Sequence, residues 1–479
     1  MQARHHKRGI STLLALLVAT APVLAAPARF LARIQPLEFD AALRQLEASG
    51  WDVAGHNRSQ GYIEVVVERD GLRSLVSFGD LTLVEPSRPF REVRQATRGS
   101  GVDAADQRYK TYSEVLRIMD GIEAQHPSIA HKVDLTRALG LPPTWEGRHL
   151  FAMKISDNVT RDEDELAILF DTLHHARELN TIEVGLDIVR FLTRFYDQLP
   201  QVRSWVDSYE IWVVPVVNPD GLEYVWSTDQ FWRKNRRDNQ DGTFGVDLNR
   251  NYPFLWGACG SSSGDPGSDT YRGPAPLSEP EVETMVALGT RLRPIIYNSF
   301  HSSGREVLPP YVCADLAEGP LVDTVRDLYR NRMGYDWRLA SSSGESFEWF
   351  YNQASSVGYL TEIGTAFQPP FEETLAELKR VRPGWMFLLD LPATGPLVQG
   401  TVTDAVSGAP VAAEISSSRV LFTEGERRAS EAGFGRYGWF LQLGPHTLTF
   451  SAAGFALLSV DVSSLAGGTT LDVALQPLP

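Results

Sequence analysis

Ala167-Ile168-Leu169-Phe170-Asp171-Thr172-Leu173-His174-His175-Ala176-Arg177-Glu178 is the stretch on which the fold turns. Residues 167–173 are mostly apolar, so they read as a strand covered on both faces, the kind found in parallel or mixed sheets. After the loop the pattern changes. Ile182, Val184, Ile188, Val189, Leu192 and Phe195 recur close to a period of 3.6, which predicts a helix over residues 181–196 packed on that sheet. The loop between them therefore sits at a strand's C-terminal end, where open α/β sheets bind ligands.

Working outward, residues 150–155, 211–217 and 294–300 are further buried apolar runs separated by amphipathic helices. They predict an α/β domain over residues 108–393, a mixed sheet with helices on both faces. Upstream, residues 30–34 and 61–68 read as strands and 38–48 as a helix, with short elements at 72–78 and 81–84, so residues 26–85 form a small α+β domain. Residues 86–107 carry Pro86, Pro89, Gly99 and Gly101 without apolar periodicity and read as an exposed linker. After Ala393 only short strand patterns remain, at 397–403, 412–416, 437–443, 446–452 and 471–475, which predicts a β-sandwich over residues 394–479.

Arg4, Lys7 and Arg8 precede an apolar run over 13–23 that ends at Val23-Leu24-Ala25, the order of a cleavable export signal spanning residues 1–25. The mature protein is thus expected outside the cytoplasm, secreted or periplasmic. No later run reaches the roughly 18 apolar residues of a membrane span, so no stable membrane anchor is expected. A composition of 43% hydrophobic and 22% charged residues implies a packed core, and the net charge of −15 argues against nucleic acid as a partner. Two cysteines, Cys259 and Cys313, exclude a multi-cysteine metal site and are either one bridge or two separate buried thiols.

Of ten histidines, two fall in the signal and His56 and His446 in the flanking domains. His126, His131 and His149 stand alone and read as surface or structural. His175 and Glu178 share the decisive loop, and His301 likewise ends the apolar run 294–300. Two imidazoles and one carboxylate leave a coordination position open for water, the arrangement of a catalytic zinc ion. His174 reads as a structural neighbour, because a catalytic ion needs that open position. By itself His-x-x-Glu is a weak signal, since it arises by chance on helices.

Ordered motifs add specificity: Asn218-Pro219-Asp220-Gly221, Trp232-Arg233-Lys234-Asn235-Arg236, Asp247-Leu248-Asn249-Arg250-Asn251, Tyr271-Arg272-Gly273-Pro274 and Leu277-Ser278-Glu279-Pro280-Glu281. With these, residues 108–392 resemble the zinc carboxypeptidases of the carboxypeptidase A and B type. The resemblance implies one zinc ion on His175, Glu178 and His301, peptide or protein C-termini as substrate, and Glu362 as general base. It also implies that Arg236 stabilises the oxyanion, that Asn249 and Arg250 hold the terminal carboxylate, and that Arg177, Arg233 and Ser302 line the cleft. Aligning residues 346–353 places Phe347 at the base of the side-chain pocket, which favours hydrophobic C-terminal residues, and Ala340 where a mobile tyrosine lid belongs, with Tyr335 close by. The first domain weakly resembles the activation segment of secreted procarboxypeptidases; Gly400-Thr401-Val402-Thr403-Asp404 onward resembles the transthyretin-like sandwich that follows some carboxypeptidase domains.

A guanidinium suits bidentate capture of a carboxylate, and a zinc-bound water near neutral pKa suits a glutamate base, so the chemistry is coherent without the resemblance. Two other readings fit many of the same residues. A zinc amidase acting on murein stem peptides or another carboxylate-bearing amide would share the metal and base. A catalytically silent peptide-binding module would not need the whole set of His175, Glu178, His301, Arg236 and Glu362.

Overall fold

The computed structural model describes residues 29–58, 60–96 and 108–479. The expected signal, residues 1–25, lies outside them. An eight-stranded mixed sheet forms the centre, in the order Asp336–Trp337, Glu306–Leu308, Val357–Glu362, Ile296–His301, Leu166–Thr172, Tyr209–Val214, Phe151–Ile155, Ala130–Asp134. The four strands from Val357–Glu362 to Tyr209–Val214 run parallel and are almost wholly buried, which is why they read as continuous apolar runs.

Helices Leu179–Phe195, Gly319–Met333 and Phe371–Thr394 pack together on one face, and Pro280–Leu292 and Ser346–Ala354 on the other. Neighbouring residues of one strand show both layers. Gly358 lies beneath the backbone of Phe347, while the Tyr359 hydroxyl donates to the Val322 carbonyl at 2.7 Å. Register does the rest. Glu362 pairs with His301 on adjacent parallel strands, and Thr172 with Phe300 on the next, so three strand ends open onto one point. The chain leaves Leu166–Thr172 through Leu173 at φ 60°, a left-handed turn that swings His174 and His175 across the sheet's end.

The N-terminal domain is a four-stranded antiparallel sheet, Asp52–Asn57, Tyr62–Glu68, Arg29–Gln35, Asp80–Pro86, backed by helix Phe39–Ala48. Part of the expected linker is ordered instead. Phe90–Ala96 is helical because Phe90, 4% exposed, inserts into the catalytic core and meets Trp226 edge-on at 4.9 Å; residues 97–107 lie outside the described residues. At the other end two sheets enclose Val402, Tyr437, Trp439, Leu448 and Phe450 as a β-sandwich. Strand Leu458–Ser464, half exposed along its length, was not foreseen. Cys259 and Cys313 form a disulfide.

Candidate active site

His175, Glu178 and His301 converge where the parallel strands end. The Nδ1 atoms of the two histidines lie 3.1 Å apart, with Glu178 oxygens 2.7 Å from His175 and 3.2 Å from His301. All three residues are buried, and among the described residues His301 Nε2 has no hydrogen-bond partner. Two ring nitrogens facing each other across a carboxylate contend for one proton. A divalent cation between the three donors satisfies them all, and two nitrogens with one oxygen suit zinc.

Behind the ligands stands Asp247, fully buried. Its Oδ1 lies 3.1 Å from His175 Nε2 and its Oδ2 accepts from Arg233 Nε at 2.9 Å. Burial alone would raise this carboxyl, but Arg233 and His175 hold it well below the usual range. One residue therefore fixes the ring that would bind the metal and aims an arginine at it. Ser302 contributes its backbone N–H to Glu178 at 3.1 Å. His174 is structural: its Nε2 meets the Tyr252 hydroxyl at 2.9 Å, away from the convergence point.

Two expectations are corrected. Arg236 does not reach the cavity; its guanidinium stacks 3.8 Å over Tyr224 and 4.8 Å from Trp232, with Glu146 3.5 Å away. Arg233, three residues earlier and anchored by Asp247, lines the cavity with His175 and Glu178. Phe347 does not floor the cavity either. It is 0% exposed and belongs to the apolar core, whereas Glu345 lines the cavity. The helix Ser346–Ala354 begins between them, and two positions turn a helix by about 200°, so the residue at its N-cap and the residue in its first turn face opposite ways.

Asn249 and Arg250 are in the cavity wall, where Arg250 Nη1 lies 2.9 Å from Glu345 Oε1. Glu362 borders the same cavity; burial, and then the charge of Glu178, push its carboxyl up to about 8. Arg338, not anticipated from sequence, bridges Glu362 at 3.9 Å and Glu306 at 2.8 Å. Neither position supplies a lid tyrosine: Ala340 stands where the lid belongs, and Tyr335 is buried against Glu377 of an outer helix.

The N-terminal domain covers the cavity. Asp52 pairs with both terminal nitrogens of Arg177, His56 Nε2 meets Glu306 at 3.2 Å, and the Ser303 hydroxyl donates to the Ala54 carbonyl at 3.2 Å. Edge strand Asp52–Asn57 thus lies over the strand ends that carry His301 and Glu362. The approach is close here: a Cβ on Gly55 would stand 2.5 Å from Ser303 Oγ, so a larger residue must displace that hydroxyl.

The profile of the zinc carboxypeptidase family matches residues 115–380. Carboxypeptidase A1 of Sus scrofa is 30% identical over 320 residues, 63% of this chain and 73% of that protein. A zinc carboxypeptidase of Saccharothrix mutabilis subsp. capreolus is 39% identical over 154 residues, and carboxypeptidase A1 of Rattus norvegicus 32% over 270. The chain spans 34% and 62% of the lengths of those two. Among solved structures, carboxypeptidase A from Helicoverpa armigera superposes with a TM-score of 0.61 at 19% identity, over 75% of this chain and 95% of that one, and so shares its fold. With the profile spanning more than half of the sequence, the chain belongs to the zinc carboxypeptidase family.

Proposed function

We propose that the chain is an exported zinc carboxypeptidase that removes C-terminal residues from peptides and is held latent by its N-terminal domain. The observation that carries this reading is the convergence of His175, Glu178, His301 and Glu362 with Arg250 on one cavity. Zinc held by His175, Glu178 and His301 would supply an acidified water and polarise the scissile carbonyl. Glu362 accepts the proton of the attacking water and passes it to the leaving amine. Arg233, steadied by Asp247, faces the charge that develops on the carbonyl oxygen. Asn249 and Arg250 hold the terminal carboxylate, so the enzyme measures where a peptide ends.

Export rests on the residue order of positions 1–25, and among the described residues no helix is long and apolar enough to cross a membrane. Latency rests on the strand Asp52–Asn57 over the cavity. The reading of the C-terminal sandwich as transthyretin-like rests on the sequence from Gly400-Thr401-Val402-Thr403-Asp404 onward. A hydrophobic end preference rested on Phe347 alone and does not follow from a side chain buried in the core.

The test is a blocked dipeptide against its C-terminal amide, with zinc removed and restored. Cleavage of the free acid only, lost on chelation and recovered with zinc, supports the reading; equal cleavage of acid and amide overturns it. In Glu362→Gln, zinc and fold should persist while turnover falls by about 10²–10⁴-fold.

A further inference from the structure

We infer that Glu345 gives this site a preference for peptides ending in lysine or arginine, an inference that rests on the carboxypeptidase reading. Glu345 is the N-cap residue of helix Ser346–Ala354, is 3% exposed, and lines the cavity. Its Oε1 lies 2.9 Å from Arg250 Nη1, and its Oε2 accepts from Asn249 Nδ2 at 3.3 Å. A side-chain carboxylate of this chain therefore occupies the two groups proposed to hold the substrate's terminal carboxylate. Arg250's remaining contacts are neutral, the Asn249 carbonyl at 2.7 Å and the Ser341 hydroxyl at 3.4 Å.

A substrate carboxylate that docks on Arg250 takes the cation away from Glu345. One turn further, Glu348 is fully buried; its Oε1 accepts from the Val312 N–H at 3.0 Å, and among the described residues its Oε2 has no hydrogen-bond partner. The docked state thus leaves Glu345 without its ion-pair partner, while the other arginines of the cavity wall, Arg233 and Arg338, are engaged by Asp247 and Glu306. A buried carboxylate stripped of its cation bears its desolvation cost uncompensated. The substrate's own side chain enters the same region. A lysine ammonium or arginine guanidinium restores the charge balance there, and the hydroxyls of Ser341 and Ser261, also in the cavity wall, accept its remaining N–H groups. A phenylalanine or leucine side chain leaves Glu345 unpaired.

The experiment uses the zinc-loaded full chain, limitedly proteolysed with trypsin and then quenched, on a matched series of blocked dipeptides ending in Lys, Arg, Phe and Leu. Wild type should favour Lys and Arg over Phe and Leu by about tenfold or more in kcat/KM. Glu345→Gln should shrink that ratio by about tenfold, with KM for the basic substrates carrying most of the change, while Phe and Leu are cleaved as fast or faster because an amide competes less for Arg250. Glu345→Asp, which keeps the charge, should retain the basic preference and guards against misfolding of the first variant. Preference for Phe or Leu in wild type, or a ratio that Glu345→Gln does not move, overturns the role of Glu345. Failure of zinc-loaded wild type to cleave any of the four overturns the carboxypeptidase reading, and the inference with it.

Discussion

The N-terminal domain and the C-terminal sandwich both pack on the catalytic domain, by different physics. The first keeps its own core, with Ile34, Leu43, Leu46 and Val65, and meets the catalytic domain chiefly through polar contacts such as the ion pairs Asp52–Arg177 and Arg29–Asp229 and the hydrogen bond between His56 and Glu306. The apolar part of that contact is a small patch, Ala54 and Val66 against Phe231 and Phe367, together with Phe90 of the helix that follows, which inserts into the catalytic core. The sandwich instead lends Leu397 and Phe440 to the same buried cluster as Leu166 and Ile295. It also drives Arg428 and Trp439 onto Glu318, at 2.6 Å each, where the Tyr351 hydroxyl donates to the same carboxylate at 2.9 Å. An interface of ion pairs over a cavity can open and leave two folded parts. A shared core cannot, so one domain reads as a cover and the other as a part of the enzyme.

Substitutions should separate the two. The largest effect on stability is expected for Glu318→Ala, which strands Arg428 in a buried site and should cost about 3–5 kcal/mol in global unfolding of the full chain. A loss under about 1 kcal/mol would make the sandwich no more integral than the cover. Asp52→Ala should act elsewhere. Removing the partner of buried Arg177 should weaken the cover by about 2–5 kcal/mol, seen as a rise in activity of the uncut chain with little change in unfolding of the catalytic domain. If unfolding drops and activity does not rise, the N-terminal domain is a structural member.

Gly55→Leu is the steric version of the same test. Its side chain must displace the Ser303 hydroxyl, which donates to the Ala54 carbonyl, and should lift the cover by about 1–3 kcal/mol, read as faster cleavage of a blocked dipeptide by the uncut chain. The smallest effect is the pH response. Burial works against the Glu306 carboxylate, but His56 and Arg338 outweigh it and bring its pKa to about 2, from 4.5 when free. Arg338 stays with Glu306 when the cover opens, so only the His56 part of this lowering stabilises the closed form; that part is present while Glu306 is ionised and is lost as pH falls toward 2. Cut protein should therefore keep its N-terminal domain on gel filtration at pH 6 and release more of it at pH 3; equal retention would remove Glu306 from the latch.

Much of this was legible in the sequence, for physical reasons. Buried parallel strands declare themselves as apolar runs, and His175, Glu178 and His301 follow because each stands beside the end of one. What was missed turned on side-chain direction over two or three residues. Arg233 and Arg236 are equivalent in sequence, and only the buried Asp247, visible in its motif but given no role, decides which faces the metal site. Glu345 and Phe347 are parted by the start of a helix whose first residue the sequence does not mark. Strand Asp52–Asn57 was not foreseen because its sequence, DVAGHN, has no alternation: one face packs on its own domain and the other on the catalytic domain, so polar and apolar residues alike are buried.

The central claim, a zinc carboxypeptidase site closed by the chain's own N-terminal domain, is tested most directly by timing amino-acid release against chain cleavage. Zinc-loaded full-length protein is mixed with a blocked peptide bearing a free C-terminal carboxylate, and a trace of trypsin is added to cut between the N-terminal and catalytic domains. The account predicts little release before the cut, release that rises in step with the cut fragment, and none from the amidated peptide or from protein treated with chelator. Release at one constant rate before and after cutting, or equal release from the amidated peptide, would contradict it.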